Sequence, residues 1–286
     1  MISLSDAWHQ ALEKNVLAAI DEDIGTGDIT ARLIDAEQIA HAHIISRDEA
    51  VIAGRPWFDR VFRQIDQNIV IEWHVDEGDW VSANTKLVSL KGSARSLLIA
   101  ERCALNFLQT LSAVATKTAK LKQLINHTHA NLFDTRKTLP GLRVAQKYAV
   151  QCGGGQNHRL GLYDAFLIKE NHIAACGSIE KAILTARNQA PPKPVEIEVE
   201  SEAEFIAALN AKADIIMLDN FSNDEKKAAV NLRNKQQSQT QLEASGGINE
   251  TTLVAVAETG VERISLGTLT KDILAVDLSM RLSPLH

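Results

Sequence analysis

Apolar positions between residues 94 and 125 recur at helical spacing: Leu97, Ala104, Leu108, Leu111 and Ala115 follow at steps of seven, four, three and four. Such a stripe predicts a long helix with one buried face. Upstream, a shorter amphipathic pattern at about 5–20 predicts another helix, and AHAHIIS (40–46) and IVIEWHV (69–75) read as strands. The first third is therefore mixed α and β. DEGDWVSANTKLVSL (76–90) looks like a lipoyl-type β-sandwich hairpin, but no lysine sits at a hairpin tip, so it reads as scaffold. After residue 128 the texture changes to HANLF (129–133), AFLI (165–168), VEIEV (195–199), DIIML (214–218), QLEA (241–244) and RISL (263–266). Their last residues lie 35, 31, 19, 26 and 22 apart, with helix-length segments between. That alternation predicts parallel strands with crossover helices, as a (β/α) barrel or an open doubly wound sheet. Six strands fall short of a full eight-stranded barrel. PPKP (191–194) is a loop before a strand.

VEIEVE carries two faces. Val195, Ile197 and Val199 share one, and Glu196, Glu198 and Glu200 share the other. The outer face of a barrel meets helices and must be apolar, so the glutamates are expected inside, facing something cationic. An edge strand with a solvated acidic face is the alternative.

The chain has 286 residues, 45% of them hydrophobic and 23% charged, with a net charge of -6. This is the composition of a globular protein, and its overall field repels nucleic acid and anionic membranes. An anionic ligand therefore needs a local cationic cluster. Cys103, Cys152 and Cys176 match neither metal-binding spacing nor a disulfide framework. With no basic, apolar leader pattern at the N-terminus and no run of 18 apolar residues, the expectation is a cytoplasmic protein without a membrane segment.

The cations are concentrated between residues 134 and 169: Arg136, Lys137, Arg143, Lys147, Arg159 and Lys169, against Asp134 and Asp164. Arg136 and Lys137 follow HANLF and Lys169 follows AFLI, whereas a solvated helix face would account for Arg143 and Lys147. Asp219 follows DIIML, Ser245-Gly246-Gly247 follows QLEA, and Gly267 follows RISL. In parallel α/β architectures the C-terminal strand ends converge on one mouth, where active sites are built. With His158 and the Gly153–Gly155 hinge nearby, these cations suit a small polyanion. The two glycine-bearing ends suit a phosphate, and Glu198 and Asp219 suit Mg²⁺ on a pyrophosphate. Lys169 as a Schiff-base lysine is the competing reading.

ERCALNFLQTLSAVAT (101–116), DTRKTLPGLR (134–143), KYAVQCGGGQNHRLGLYDAFLIKENH (147–172), IIMLDNF (215–221) and ISLGTLT (264–270) resemble the quinolinate phosphoribosyltransferases. The likeness starts at EDIGTGDIT (22–30) and covers nearly the whole chain. It implies an N-terminal α/β sandwich domain over 1–112, an incomplete parallel α/β barrel over 113–271, and a tail at about 272–286 returning to the first domain. It also implies phosphoribosyl transfer from phosphoribosyl pyrophosphate to quinolinate with decarboxylation, in NAD biosynthesis, by a homodimer in which Arg102 reaches the neighbour's site.

On this resemblance Arg136, Lys137, His158, Arg159 and Lys169 hold the quinolinate carboxylates and part of the donor. Glu198 and Asp219 face the ribose and Mg²⁺-pyrophosphate, and Ser245, Gly246, Gly247 and Gly267 hold the 5-phosphate. Lys137, Lys169, Glu198 and Asp219 are the expected catalytic set. SGGI departs from the SGN of some relatives, and Lys271-Asp272 stands where relatives carry histidine or a lysine-histidine pair. Lys271 is thus a candidate phosphate contact. A phosphosugar-binding paralogue without this turnover is the other reading within the fold.

Overall fold

The computed structural model describes residues 6–190 and 192–284. Residue 5 at the head of the predicted first helix, and Pro191 of the PPKP loop, lie outside them. In chain order the elements are α1 (Asp6–Ile24), β1 (Ile39–Ser46), β2 (Ala50–Val51), α2 (Arg55–Ile65), β3 (Val70–Trp73), β4 (Trp80–Val81), β5 (Lys86–Ser93) and α3 (Ala94–Leu124). They continue with β6 (Asn131–Phe133), α4 (Arg143–Cys152), β7 (Phe166–Ile168), α5 (Glu170–Cys176), α6 (Ile179–Gln189), β8 (Val195–Val199), α7 (Glu202–Asn210), β9 (Ile215–Asp219) and α8 (Asn223–Lys235). The last are β10 (Gln241–Ser245), α9 (Glu250–Ala257), β11 (Arg263–Ser265), α10 (Thr268–Lys271) and β12 (Leu278–Pro284). Two compact units result: Met1–Ala119 with Thr138–Gly154 and Leu269–His286, and Lys120–Lys137 with Gly155–Thr268.

The first unit contains an antiparallel sheet in the order β12-β1-β5-β3. Along β1, Ala40, Ala42, Ile44 and Ser46 are buried and alternate with more exposed residues, the period-two pattern of a sheet with one face on a core. Residues 76–90 do not form a hairpin. β4 pairs with β2, while β5 lies between β1 and β3. α3 buries Leu97, Ala104, Leu108, Leu111 and Ala115, the five positions of its apolar stripe. By length and composition α3 could cross a bilayer, yet 61% of that window is buried inside the protein, as in a core helix. Gly153 is a packing residue rather than a hinge, since a Cβ there would stand 2.4 Å from the Ala115 carbonyl oxygen. Lys147, read from sequence as solvated, is fully buried in α4.

The second unit contains a parallel sheet in the order β6-β11-β10-β9-β8-β7. First strand pairs with last, as in a closed barrel, but β6 and β7 do not pair with each other, so the barrel is open there. The residues between those strands, 138–154, belong to the first unit instead of supplying a crossover helix to this sheet. One face carries Leu132, Ile264, Leu242, Ala244, Ile216, Leu218, Val195, Ile197 and Val199, all completely buried. Burying this face is the main stabilising term for the sheet, at about 25 cal/mol per Å² of apolar surface removed from water. The opposite face carries the chemistry.

Candidate active site

Register sets which side chains share the inner face. Glu198 is level with Met217 and Glu243, and Glu243 with Arg263. Two residues further on, Asp219 is level with Ser245. Lys169 follows β7 directly and is the N-cap of α5; its N–H donates to His172 Nδ1 at 3.0 Å. Its Nζ donates to Glu198 Oε2. Glu196 and Glu198 therefore meet cations inside, as their pattern predicts. Glu200 does not: β8 ends at Val199, and Glu200 is exposed.

The glycines make room for atoms at the strand ends. Gly246 has φ +89°, and a Cβ there would fall 2.3 Å from Asn220 Oδ1 and 3.0 Å from Asp219 Oδ1. Asn220 itself sits at φ 56° and donates from Nδ2 to Asp219 Oδ2 at 2.8 Å. Gly247 also has positive φ, +62°. A Cβ on Gly267 would lie 2.9 Å from Lys137 Cδ, so this glycine brings the loop after β11 against the loop after β6.

Below this rim lies a buried charged layer. His158 Nε2 is 2.9 Å from Glu196 Oε2 and 3.5 Å from Glu243 Oε1. Glu243 accepts from Arg263 Nε at 2.7 Å. Asp134, fully buried after β6, accepts from the His158 N–H at 2.9 Å and from Asn157 Nδ2 at 2.6 Å, fixing the backbone that carries His158. Burial disfavours charge on His158, but its bonds to Glu196 and Glu243 prevail and raise its pKa to about 9. Burial also opposes ionisation of Glu243, and His158 and Arg263 overcome it, holding this carboxyl below its ordinary range. Burial and then the Glu243 charge push Glu196 up. Burial, with the Arg136 guanidinium next in size, lowers Arg159.

Residues 28–112 match the quinolinate phosphoribosyl transferase N-terminal domain, and residues 114–281 match the C-terminal domain of the same family. The chain belongs to the quinolinate phosphoribosyl transferase family. The nicotinate-nucleotide pyrophosphorylase from Francisella tularensis, of known structure, is 46% identical, with TM-score 0.92 and 96% of each chain covered. A probable nicotinate-nucleotide pyrophosphorylase [carboxylating] from Bacillus subtilis is 41% identical over 95% of this chain and 93% of its own. A tobacco relative, 36% identical over 92% of this chain and 80% of its own, is named quinolinate phosphoribosyltransferase [decarboxylating] 2a, mitochondrial. The activity of this quinolinate phosphoribosyl transferase is thus that of a nicotinate-nucleotide pyrophosphorylase, a pentosyl transfer in de novo NAD biosynthesis. The family commonly uses Mg²⁺.

Arg136, Lys137, His158, Arg159, Lys169, Glu198, Asp219, Ser245, Gly246, Gly247 and Gly267 all belong to the second unit of this phosphoribosyl transferase. Arg102, exposed on α3, and Lys271, exposed at the end of α10, belong to the first. Sequence reasoning passed over Glu243, Arg263 and the structural role of Asp134. The signal for the first two was present: Gln241, Glu243 and Ser245 alternate with Leu242 and Ala244 just as the glutamates of VEIEV alternate with its aliphatics. RIS opposes that run with one arginine.

Proposed function

We propose that the strand-end rim binds quinolinate and phosphoribosyl pyrophosphate together, with Arg136, Lys137, His158, Arg159 and Lys169 receiving the acceptor carboxylates and part of the donor. The observation that supports this reading is that Arg136 and Lys137 follow β6 and Lys169 follows β7, while Glu198 and Asp219 lie at the C-terminal ends of β8 and β9 in the same parallel sheet, with Lys169 paired to Glu198. A dicarboxylate and a polyphosphate repel each other, and only clustered guanidinium and ammonium groups offset that repulsion in one mouth. The pyridine nitrogen attacks the anomeric carbon as pyrophosphate leaves. Glu198 and Asp219 face the ribose, where a carboxylate stabilises oxocarbenium character. Loss of the carboxylate next to the new pyridinium nitrogen as CO₂ leaves an electron pair on carbon that this nitrogen stabilises until a proton is taken up.

Ser245, Gly246, Gly247 and Gly267 hold the 5-phosphate. Glu198 and Asp219 would hold Mg²⁺, which would supply charge neutralisation for the leaving pyrophosphate. Glu198 and Asp219 suit it as hard oxygen donors on one face, each with one oxygen engaged by a neighbour and the other to offer. Lys169, held by Glu198, is an anion contact rather than a Schiff-base nucleophile. The functional unit is a cytoplasmic homodimer completed by Arg102 across the interface. Its three free thiols support the reducing compartment.

Turnover with quinolinate, phosphoribosyl pyrophosphate and Mg²⁺, read as CO₂ and pyrophosphate release, tests this directly, with nicotinate as the control acceptor. Release is expected with quinolinate alone, and Arg136→Ala should abolish it without changing Tm. Retained turnover in that variant overturns the anion-site assignment. Silence of the folded wild-type protein favours the phosphosugar-binding paralogue.

A further inference from the structure

Beneath the rim, Glu243 and Arg263 have no part in the transfer, although Glu243 is completely buried on the sheet's inner face. The Glu243 side chain is 0% exposed, and its partner Arg263 also lies over the Phe133 ring at 3.7 Å. Arg263 is thus held from two sides, and Glu243 with it. The imidazole of His158 is gripped at both nitrogens. Nε2 faces Glu196 and Glu243, and Nδ1 lies 2.9 Å from the Arg159 backbone nitrogen.

Packing alone does not fix this ring. A cavity of about 250 Å³ borders His158, Arg159, Glu196 and Arg263. Glu196 Oε1 is buried without a hydrogen-bond partner and Glu243 Oε1 stands 3.5 Å from His158 Nε2, so the array rests on few contacts. The loop that follows is built from the same point: Leu160 and Gly161 N–H groups donate to Asp164 at 2.6 and 3.1 Å.

We propose that Glu243, locked by Arg263, is a positioning residue for the acceptor: it fixes the His158 ring and, through the Nδ1 contact, the backbone that presents Arg159 to the acceptor's carboxylates. It touches no substrate. This rests on the acceptor-binding role given above to His158 and Arg159. A merely structural role would weaken both substrates or neither, whereas a positioning role for one subsite splits them.

The test compares KM for quinolinate and for phosphoribosyl pyrophosphate in Glu243→Gln, in Glu243→Gln/Arg263→Gln and in Arg159→Ala. Partners that orient a buried imidazole are worth roughly 10–100-fold. KM for quinolinate should rise by that order in both Glu243 variants while KM for the donor stays within about twofold. The double variant leaves no unpaired cation behind and keeps the test open if the single variant folds poorly. Equal rises in both KM values, or a fall in kcat alone, overturn the proposal. If Arg159→Ala leaves KM for quinolinate unchanged, the acceptor-site reading fails and the positioning role falls with it. If Arg159→Ala raises KM and neither Glu243 variant does, the positioning role alone is wrong.

Discussion

Two ion pairs on one strand, two residues apart on the same face, behave as different objects. Glu198 and Lys169 at the rim have side chains 12% and 42% exposed; Glu196 and His158 just below have 3% and 7%. A half-solvated pair gains little from its own attraction and can exchange partners when a charged substrate arrives. A desolvated pair cannot, because separating it strands a charge in a poor dielectric. The same alternation of glutamate and aliphatic residues along β8 thus supplies both a working layer and a fixed layer beneath it.

The sharpest way to break this comparison is to remove a charge from each layer. Glu243→Ala leaves Arg263 buried without its carboxylate and should cost about 3–5 kcal/mol of stability, measured by denaturant unfolding. A cost below about 1 kcal/mol would mean the lower layer is as forgiving as the rim. Glu198→Gln should do the reverse: kcat falls about 10²–10³-fold, as for loss of one transition-state charge contact, while the unfolding midpoint hardly moves. A large stability loss in Glu198→Gln would erase the distinction.

Much of this was readable in the sequence because it depends on period. The long stripe through Leu97 and Ala115, the aliphatic runs of the six parallel strands, and Lys169, Asp219 and Gly267 at or just past strand ends all follow from spacing and strand polarity. What depends on pairing between distant segments was not readable. Nothing local says that β4 joins β2 instead of β5, nor that residues 138–154 leave the sheet they interrupt. Lys147 looked solvated because a single lysine carries no sign of the burial awaiting it. Glu243 was hidden for a related reason: QLEA is short, and one glutamate in it reads as surface until Arg263 and His158 are brought against it.

A smaller effect probes the rim's geometry rather than its charge. Gly246→Ala puts a methyl group 2.3 Å from Asn220 Oδ1 at a φ of +89°. That strain is worth about 1–3 kcal/mol. Asn220 is exposed and can turn aside, so most of the cost should appear as a raised KM for phosphoribosyl pyrophosphate, with KM for quinolinate little changed. Unaltered donor KM would remove Gly246 from the phosphate cradle.

The least perturbing probe is pH. His158 is raised from its usual 6.5 to about 9 in the folded protein, so the native state holds a proton that the unfolded chain releases across that interval. The stability this proton supplies is complete below pH 6.5 and is lost as pH rises through 9. A shift of that size is worth about 3 kcal/mol. The Arg159 N–H at Nδ1 favours the neutral ring and should return about 1–2 kcal/mol of it. Unfolding free energy should therefore fall by about 1–2 kcal/mol between pH 6.5 and 9.5, after correction for the same titration in Glu243→Gln, where one of the carboxylates holding the imidazolium is neutral. A slope that is flat, or identical in wild type and Glu243→Gln, would show that the buried carboxylates do not hold a proton on His158. The lower layer would then be fixed by hydrogen bonds to a neutral ring alone.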